Sequence, residues 1–179
     1  MRGPAVHEVE DERSGPVRWL DADERETWLG LVRVIAKLPA LLDSQLERSA
    51  GLNFFEYTML AILSEQEGRV LRMSRLAMLT NSSPSRLSHA ARHLEGRGLL
   101  VREADPDDGR CIRAVLTGAG REAVDTAAPG HVEAVRALVF DALDPDQVAA
   151  LGRVSERILQ RVDPDQTTRP AGPVAHGAT

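Results

Sequence analysis

Aromatic residues and cysteine are scarce in this sequence, and each shortage excludes a class of fold or site. Only 3% of the residues are aromatic, whereas alanine, leucine, valine and arginine are abundant. This composition favours helices packed through aliphatic side chains over a β-sandwich. Cys111 is the only cysteine, so the chain has no intrachain disulfide and no cysteine-rich zinc site. We expect a mainly α fold.

Long apolar runs are absent as well. No window approaches the roughly 18 continuous apolar residues of a membrane span, and residues 1–20 have no apolar stretch long enough for a signal peptide. We therefore expect a cytoplasmic protein without a membrane partner. Of the 179 residues, 42% are apolar and 27% are charged, which predicts one globular domain over residues 21–162 between mobile tails at 1–20 and 163–179.

The charge of the chain is unevenly distributed. The net charge of −5 argues at first against a nucleic-acid partner. Residues 69–121, however, contain ten arginines and five acidic residues, a balance of +5 that leaves −10 for the rest of the chain. A basic segment within an acidic chain is typical of a local DNA-contacting surface, although a solvated arginine-rich face has the same composition.

Three long helices are predicted outside the middle of the chain. Their apolar side chains recur at three- or four-residue spacing, and an aspartate precedes the first and the last helix as an N-cap. Pro39 should kink the first helix, and Pro129-Gly130 should interrupt the second. The predicted helices cover residues 21–50, 118–142 and 145–162.

Shorter elements are predicted between the long helices. A helix over residues 53–65 is followed by a short strand near 69–72 and a short helix over 74–80. Asn81-Ser82-Ser83 is a turn, and Ser83-Pro84 is an N-cap followed by a favourable first helical residue, so another helix should run to about residue 97. Two short helices joined by a tight polar turn are typical of a helix-turn-helix motif.

The helix that begins at Pro84 has one apolar face and one polar face. Hydroxyl, imidazole and guanidinium groups on the polar face are suited to base edges and phosphates in a major groove, although most amphipathic helices are simply solvated. On a wheel of about 100° per residue, the apolar face carries Leu87, Ala90, Ala91 and Leu94, and the polar face carries Ser85, His89 and Arg92.

A β-hairpin should follow this helix. Residues 99–103 and 111–117 have the composition of strands, and the turn-rich stretch 104–110 between them is charged. The predicted order is therefore helix, turn, helix, strand, charged tip and strand. This order is a much stronger indication of a DNA-binding motif than any single element.

The stretch from Gly51 to Ala123 resembles the winged helix-turn-helix core of the MarR family. The resemblance rests on Ser74-Arg75-Leu76-Ala77, Ser82 to Arg97, Leu94 to Arg102 (LEGRGLLVR), Asp105 to Arg110 (DPDDGR) and Leu116 to Gly120 (LTGAG). It implies a mainly α fold with a small β-wing, a DNA-binding lobe over about 53–117, and dimerisation helices formed by the three long helices.

The same resemblance implies a function. It describes a transcriptional regulator that binds double-stranded DNA in sequence-specific fashion, as a homodimer on an inverted-repeat operator, and acts as a ligand-responsive repressor. The residues implied to face DNA are Ser82, Ser83, Ser85, Arg86, Ser88, His89 and Arg92 of the recognition helix, Arg110 at the wing tip, Asp108 as the group that orients the Arg110 guanidinium, and Arg113 as a phosphate contact.

Family members often bind small aromatic acids, and this implies an effector pocket. The candidates to line it are Trp28, Phe54, Phe55 and Tyr57, each of which also suits an ordinary core position. The family's peroxide sensors carry a cysteine in the first helix, which this chain lacks, so we expect Cys111 to be structural.

We expect no metal, no cofactor and no enzymatic activity. His89 and His93 have a spacing that suits a metal, but no third ligand is near them in sequence. The sequence also lacks a nucleophile with its base and a glycine-rich phosphate loop. The alternative function is that of a winged-helix protein–protein adaptor that does not bind DNA directly.

Overall fold

The computed structural model describes residues 17–164 and confirms a mainly α fold with a small β-sheet. Within these residues, six α-helices and three strands follow in the order α1 (Ala22–Ala50), α2 (Phe54–Ser64), β1 (Val70–Arg72), α3 (Met73–Leu79), α4 (Pro84–Gly96), β2 (Leu100–Ala104), β3 (Ile112–Leu116), α5 (Gly118–Leu138) and α6 (Pro145–Val162). None of the helices in this part of the chain has the length and apolar character to cross a membrane. The predicted tails at 1–20 and 163–179 lie outside the described residues, except for 17–20 and 163–164.

The predicted helix caps are confirmed. The Asp21 carboxylate accepts a hydrogen bond from the backbone amide of Glu24 at 2.8 Å. Ser83 caps α4 through the amide of Arg86, with Pro84 at the first helical position. Asp144 caps α6 in a reciprocal capping box with Gln147. Each cap satisfies an amide that the helix itself leaves without a partner.

The predicted interruption of the fifth helix is wrong. α5 runs without a break from Gly118 to Leu138 and contains Pro129, and a separate 3₁₀ turn follows at Phe140–Ala142. A proline inside a helix removes one backbone hydrogen bond. Ala127 and His131, on either side of Pro129, are both buried, so packing holds the helix together across the proline. α1 likewise continues through Pro39.

The three strands form an antiparallel sheet in the order β1-β3-β2. The two hairpin strands begin and end within one residue of their predicted limits. Ala114 and Leu116 of β3 and Leu100 of β2 are buried. Two rows of register partners cross the three strands at the alternate positions of β3. One row consists of Val70, Val115 and Val101, and the other of Arg72, Arg113 and Glu103.

The core lies between the helices and the inner face of the sheet. Leu60, Leu63 and Leu76 from α2 and α3 are fully buried in it. The predicted apolar face of α4 is confirmed, because Leu87, Ala90, Ala91 and Leu94 are all buried in this core.

The start of α5 lies directly against the start of β2. The Thr117 hydroxyl accepts the amide of Gly120 at 2.9 Å and donates to the carbonyl of Gly98 at 2.7 Å. A Cβ atom at Gly120 would lie 2.0 Å from the carbonyl oxygen of Leu99. Only glycine permits this approach, so the junction between wing and helix depends on it.

The terminal helices expose apolar side chains. α6 buries none of its residues, and Leu151, Val154, Ile158, Leu159 and Val162 are between 43% and 71% exposed. The chain divides into two compact units, one ending at Ala36 and one beginning at Lys37. In the first of these units, Trp28, Val34 and Ile35 of α1 are each more than half exposed.

Candidate DNA-binding surface

The turn between α3 and α4 sets the start of the recognition helix. Asn81 has a φ of 46°, a left-handed conformation that asparagine tolerates better than most residues. The amide of Ser82 then donates to the carbonyl of Ala77 at 3.0 Å, and the hydroxyls of Thr80 and Ser82 lie 2.9 Å apart. The turn is therefore fixed by its own hydrogen bonds.

The polar face of α4 is directed to solvent. Ser85, Arg86, His89 and Arg92 are exposed, and Ser88 is half-buried. A convex helix with hydroxyl, imidazole and guanidinium groups on its outer face has the shape and chemistry to enter a major groove. The apolar face behind it anchors this surface to the core.

Ser82 and Ser83 differ from the other predicted contact residues because their hydroxyls already serve the fold. The Ser83 oxygen accepts the amide of Arg86 at 3.3 Å as the N-cap of α4. Ser82 is bonded to Thr80. Their first role is thus to position the helix.

Arg86 is held from behind by an aromatic ring. Its guanidinium carbon lies 4.3 Å from the ring centre of Phe55 on α2. This cation–π contact ties the recognition helix to α2. Phe55 is therefore a neighbour of α4, whereas the sequence suggested a pocket residue.

The wing tip differs in one contact from the expectation. The Asp108 carboxylate accepts the backbone amide of Arg110 at 3.2 Å and the thiol of Cys111 at 3.3 Å. Asp108 and the Arg110 guanidinium, both within the described residues, form no ion pair. The predicted orienting ion pair is therefore wrong. An aspartate two residues before Arg110 is well placed to accept a hydrogen bond from the backbone amide of the turn, and this bond takes the place of the ion pair. The Arg110 side chain is exposed at the tip.

A buried carboxylate anchors the base of the wing. Asp105 accepts a hydrogen bond from Arg72 Nε at 2.6 Å and one from the amide of Asp107 at 3.0 Å. The bond from the Asp107 amide, followed by that from the Arg72 side chain, lowers the pKa of Asp105 below its usual value. The wing is thereby tied to the residue that precedes α3.

A second ion pair joins the recognition helix to the wing. Glu95 on α4 accepts the amide of Arg102 at 2.9 Å and the Arg102 Nη2 at 2.6 Å. The backbone bond and then the side-chain bond lower the pKa of Glu95. These hydrogen bonds link the recognition helix directly to the first strand of the wing. Sequence reasoning missed this pair, although both residues lie in the stretch LEGRGLLVR that carries the family resemblance.

Arg113, predicted as a phosphate contact, is already engaged. Its Nε and Nη2 atoms lie 2.7 Å and 2.5 Å from the same oxygen of Glu103, its register partner on β2. Both side chains are partly exposed.

Contacts within the protein leave the net charge of the middle segment unchanged, but they reduce the number of its arginines that are available to DNA. Ion pairs with acidic side chains engage Arg72, Arg102, Arg113 and Arg121, and Arg97 donates to the carbonyl of Gly51. The exposed arginines on α4 and at the wing tip are Arg86, Arg92 and Arg110. They flank the surface that the helix-turn-helix presents.

A further ion pair crosses from α2 to the back of the recognition helix. Glu56 is buried and contacts His93 Nδ1 through one oxygen, while its other oxygen accepts the amide of Asn53 at 3.1 Å. His93, which the sequence placed at a metal-like spacing from His89, is thus paired with a carboxylate. The Asn53-x-x-Glu56 spacing is a capping-box signal that could have pointed to Glu56.

The predicted effector residues lie in different surroundings. The rings of Phe54 and Tyr57 lie 5.8 Å and 4.7 Å from that of His131 on α5. His131 is buried, and among the described residues its Nδ1 atom has no hydrogen-bond partner. Burial lowers the pKa of His131 and raises that of Tyr57. Trp28, in the first unit, is about half exposed.

A second buried polar atom without a hydrogen-bond partner among the described residues lies on α1. Gln45 Oε1 on α1 is buried and has no hydrogen-bond partner among residues 17–164, and the Gln45 amide lies 3.2 Å from where a Cβ of Gly130 would be. A separate groove of about 300 Å³ is lined by Ala50, Ala119, Glu122, Ala123 and Thr126, and includes none of the predicted effector residues.

Cys111 is half-buried at the base of the wing tip. Its hydrogen bond to Asp108, together with burial, raises the pKa of the thiol. A raised pKa reduces the thiolate fraction and hence reactivity. This supports the expectation of a structural cysteine.

The fold and the surface together define a winged helix-turn-helix protein, and comparisons identify the family. The MarR family model matches residues 52–112. A MarR family transcriptional regulator of Streptomyces coelicolor, Sco3205, solved in complex with DNA, is 39% identical with a TM-score of 0.81, over 88% of this chain and 98% of that chain. The chain belongs to the MarR family and is a transcriptional regulator rather than an enzyme.

Two other proteins extend the comparison. YkoM of Bacillus subtilis (strain 168), described as an uncharacterized HTH-type transcriptional regulator, is 31% identical over 130 residues, which cover 70% of this chain and 81% of YkoM. CouR from Rhodococcus jostii RHA1, solved bound to p-coumaroyl-CoA, is 25% identical with a TM-score of 0.66, over 78% of this chain and 93% of that chain.

Proposed function

We propose that this regulator binds operator DNA in sequence-specific fashion, with α4 in the major groove. The observation that carries this proposal is the exposed polar face of α4, in a fold similar to that of Sco3205 in complex with DNA. Ser85, Arg86, His89 and Arg92 supply the groups that base edges and phosphates accept.

The recognition helix and the wing contact different parts of the DNA in this proposal. Arg86 and His89 lie in the N-terminal half of α4, where side chains reach base edges. Arg110 is exposed at the wing tip, where a guanidinium meets the minor groove or a phosphate. Substitutions on the helix should therefore reduce specificity, and substitutions on the wing should reduce affinity more evenly.

Fluorescence anisotropy on a selected operator and a scrambled duplex, at several salt concentrations, tests this division. Arg86→Ala or His89→Ala should weaken operator binding by roughly 1–3 kcal/mol more than scrambled binding. Arg110→Ala should weaken both and flatten the salt dependence by roughly 0.9 for each phosphate that the protein no longer neutralises. Arg136→Ala, an exposed arginine paired with Asp141 on another part of the chain, is the matched control. Parent protein that binds neither duplex would instead support the adaptor function.

We further propose a homodimer on an inverted-repeat operator. The apolar residues of α6 form an exposed surface within the second unit, and such a surface favours a partner. A second copy is the simplest partner, because a two-fold axis matches a palindromic site with half-sites roughly 34–36 Å apart. Light scattering should give twice the 19.5 kDa chain mass.

We propose that the protein is a cytoplasmic repressor released by a small aromatic effector. The cluster of Phe54, Tyr57 and His131 supports this, because it combines aromatic walls with buried polar atoms that have no partner among the described residues. The p-coumaroyl-CoA complex of CouR gives a precedent at 25% identity. Phe55 contacts Arg86 and is therefore not part of the proposed effector pocket.

Displacement of operator DNA tests the effector proposal. Adding 4-hydroxybenzoate and related hydroxycinnamates should reduce the anisotropy of bound operator in the parent protein. His131→Leu should retain DNA binding and lose this response, whereas Arg136→Ala, which alters an exposed residue on the same helix, should keep both. An undiminished response in His131→Leu would remove the cluster from the effector site.

A further inference from the structure

The charged row across the wing sheet contains two arginine–carboxylate pairs of different kinds. Arg72, Arg113 and Glu103 are register partners on the three strands, and Asp105 lies next to Arg72. Like charges on adjacent strands repel each other. Each arginine in this row therefore depends on its own carboxylate.

The Arg72–Asp105 pair is part of the fold. The Asp105 side chain is only 8% exposed and holds both Arg72 and the Asp107 amide. Removing one partner of such a pair leaves a buried charge without compensation. This pair has no freedom to exchange partners.

The Arg113–Glu103 pair is partly exposed, and it involves fewer hydrogen bonds. Glu103 is 43% exposed, and both arginine nitrogens converge on its Oε1 atom. Among the described residues, the second oxygen of Glu103 has no partner. An exposed ion pair contributes little free energy. A phosphate oxygen offers the same Arg113 nitrogens a comparable acceptor.

We propose that Glu103 is an intramolecular competitor for DNA phosphate at Arg113, so that Arg113 exchanges Glu103 for a backbone phosphate when the wing contacts DNA. This inference rests on the proposed DNA-binding function and adds Glu103 as a residue that sets affinity. Because phosphate contacts carry no base sequence, the competition lowers affinity for operator and scrambled duplexes alike. Glu103 acts through Arg113 and does not touch DNA itself.

Anisotropy titrations of three full-length variants test the exchange. Glu103→Gln should tighten binding to both duplexes by roughly two- to fivefold, the equivalent of one exposed ion pair. Glu103→Asp keeps the charge but shortens the side chain, so it should give a smaller gain on both duplexes. The double variant Glu103→Gln/Arg113→Gln should lower the salt slope by roughly 0.9 relative to Glu103→Gln, because it neutralises one phosphate fewer.

The outcomes separate this inference from the proposed function. A parent protein that binds no duplex overturns the proposed function. If the parent binds, an unchanged DNA affinity in Glu103→Gln overturns the proposed competition. If Glu103→Asp binds DNA only as tightly as the parent, the tighter binding of Glu103→Gln is due to the loss of a negative charge alone, which also overturns the competition. An unchanged salt slope in the double variant overturns the phosphate contact. The double variant replaces both charged partners by neutral amides, and circular dichroism should show that it folds like the parent.

Discussion

The recognition helix α4 and the last helix α6 have similar sequence patterns and opposite surroundings. Both begin at a capping residue followed by proline and carry an apolar stripe. α4 buries Leu87 and Leu94 in the core, whereas α6 buries no residue and leaves Ile158 45% exposed. An apolar stripe therefore shows that a helix has a partner, but does not show whether that partner lies in the same chain.

The comparison separates two sources of stability. Side chains on the apolar face of α4 stabilise the fold of a single chain, so their contribution should be independent of protein concentration. Side chains on α6 should contribute only when a second copy covers them, which makes their effect concentration-dependent. The following experiments test this difference, in order of decreasing effect.

Leu94→Ala should cause the largest decrease in stability, about 2–5 kcal/mol, because it opens a cavity at a fully buried position. Urea denaturation followed by circular dichroism measures this decrease. The same value is expected at low and high protein concentration. Leu159→Ala on α6 is the control, because its decrease in the free energy of unfolding should grow with protein concentration as more of the proposed dimer forms. Equal decreases for both variants, independent of concentration, would contradict the difference between α4 and α6.

Ile158→Asp should dissociate the proposed homodimer and leave the subunit folded. A charge placed in an apolar interface without a partner is costly, and we expect at least about a 100-fold weaker association, or about 2.7 kcal/mol. Light scattering should then report the 19.5 kDa chain. Gln160→Asp adds the same charge two residues later on the same helix and should keep the parent's mass. Retention of the dimer in Ile158→Asp would assign the exposed face of α6 another role.

Gly120→Ala should destabilise the lobe by about 1–3 kcal/mol, because the new Cβ would lie 2.0 Å from the Leu99 carbonyl oxygen. Gly118→Ala, in the same helical turn but with no atom within 4 Å of its Cβ, is the matched control. It should be neutral or stabilising by up to about 1 kcal/mol. Thermal unfolding of the two variants measures the contrast, and equal melting temperatures would show that the close approach is not required.

His131 should give the smallest effect, a dependence of stability on pH. Burial lowers its pKa in the folded state, so below about pH 6.5 the unfolded chain binds a proton that the folded chain does not. Its contribution to stability therefore disappears as the pH falls below this value. His131→Leu should lose less stability than the parent between about pH 7.5 and about pH 5.5, measured by thermal unfolding. His89→Gln should behave like the parent, and a parent-like pH dependence in His131→Leu would exclude His131 as the cause.

Local patterns were sufficient to predict the elements that position the DNA-binding surface. Helix caps at Ser83 and Asp144, the apolar face of α4 and the two wing strands all depend on residues a few positions apart, and the structure confirms them. Pro129 was misjudged because the buried side chains around it compensate for its missing hydrogen bond, and that packing is not visible in the local sequence.

The positions of helices, turns and strands follow from the sequence, because capping, spacing and turn chemistry act over short separations along the chain. Which arginines stay available depends instead on tertiary contacts. Arg72 and Asp105 are 33 residues apart, and Glu56 and His93 are 37 residues apart. Such pairs form because folding brings distant groups together, where the strength of an ion pair depends on the burial and the geometry of both partners. Arg113 was predicted as a positive charge near the wing; its partner Glu103 lies 10 residues earlier, and their pairing depends on the strand register, which the predicted strand limits did not define.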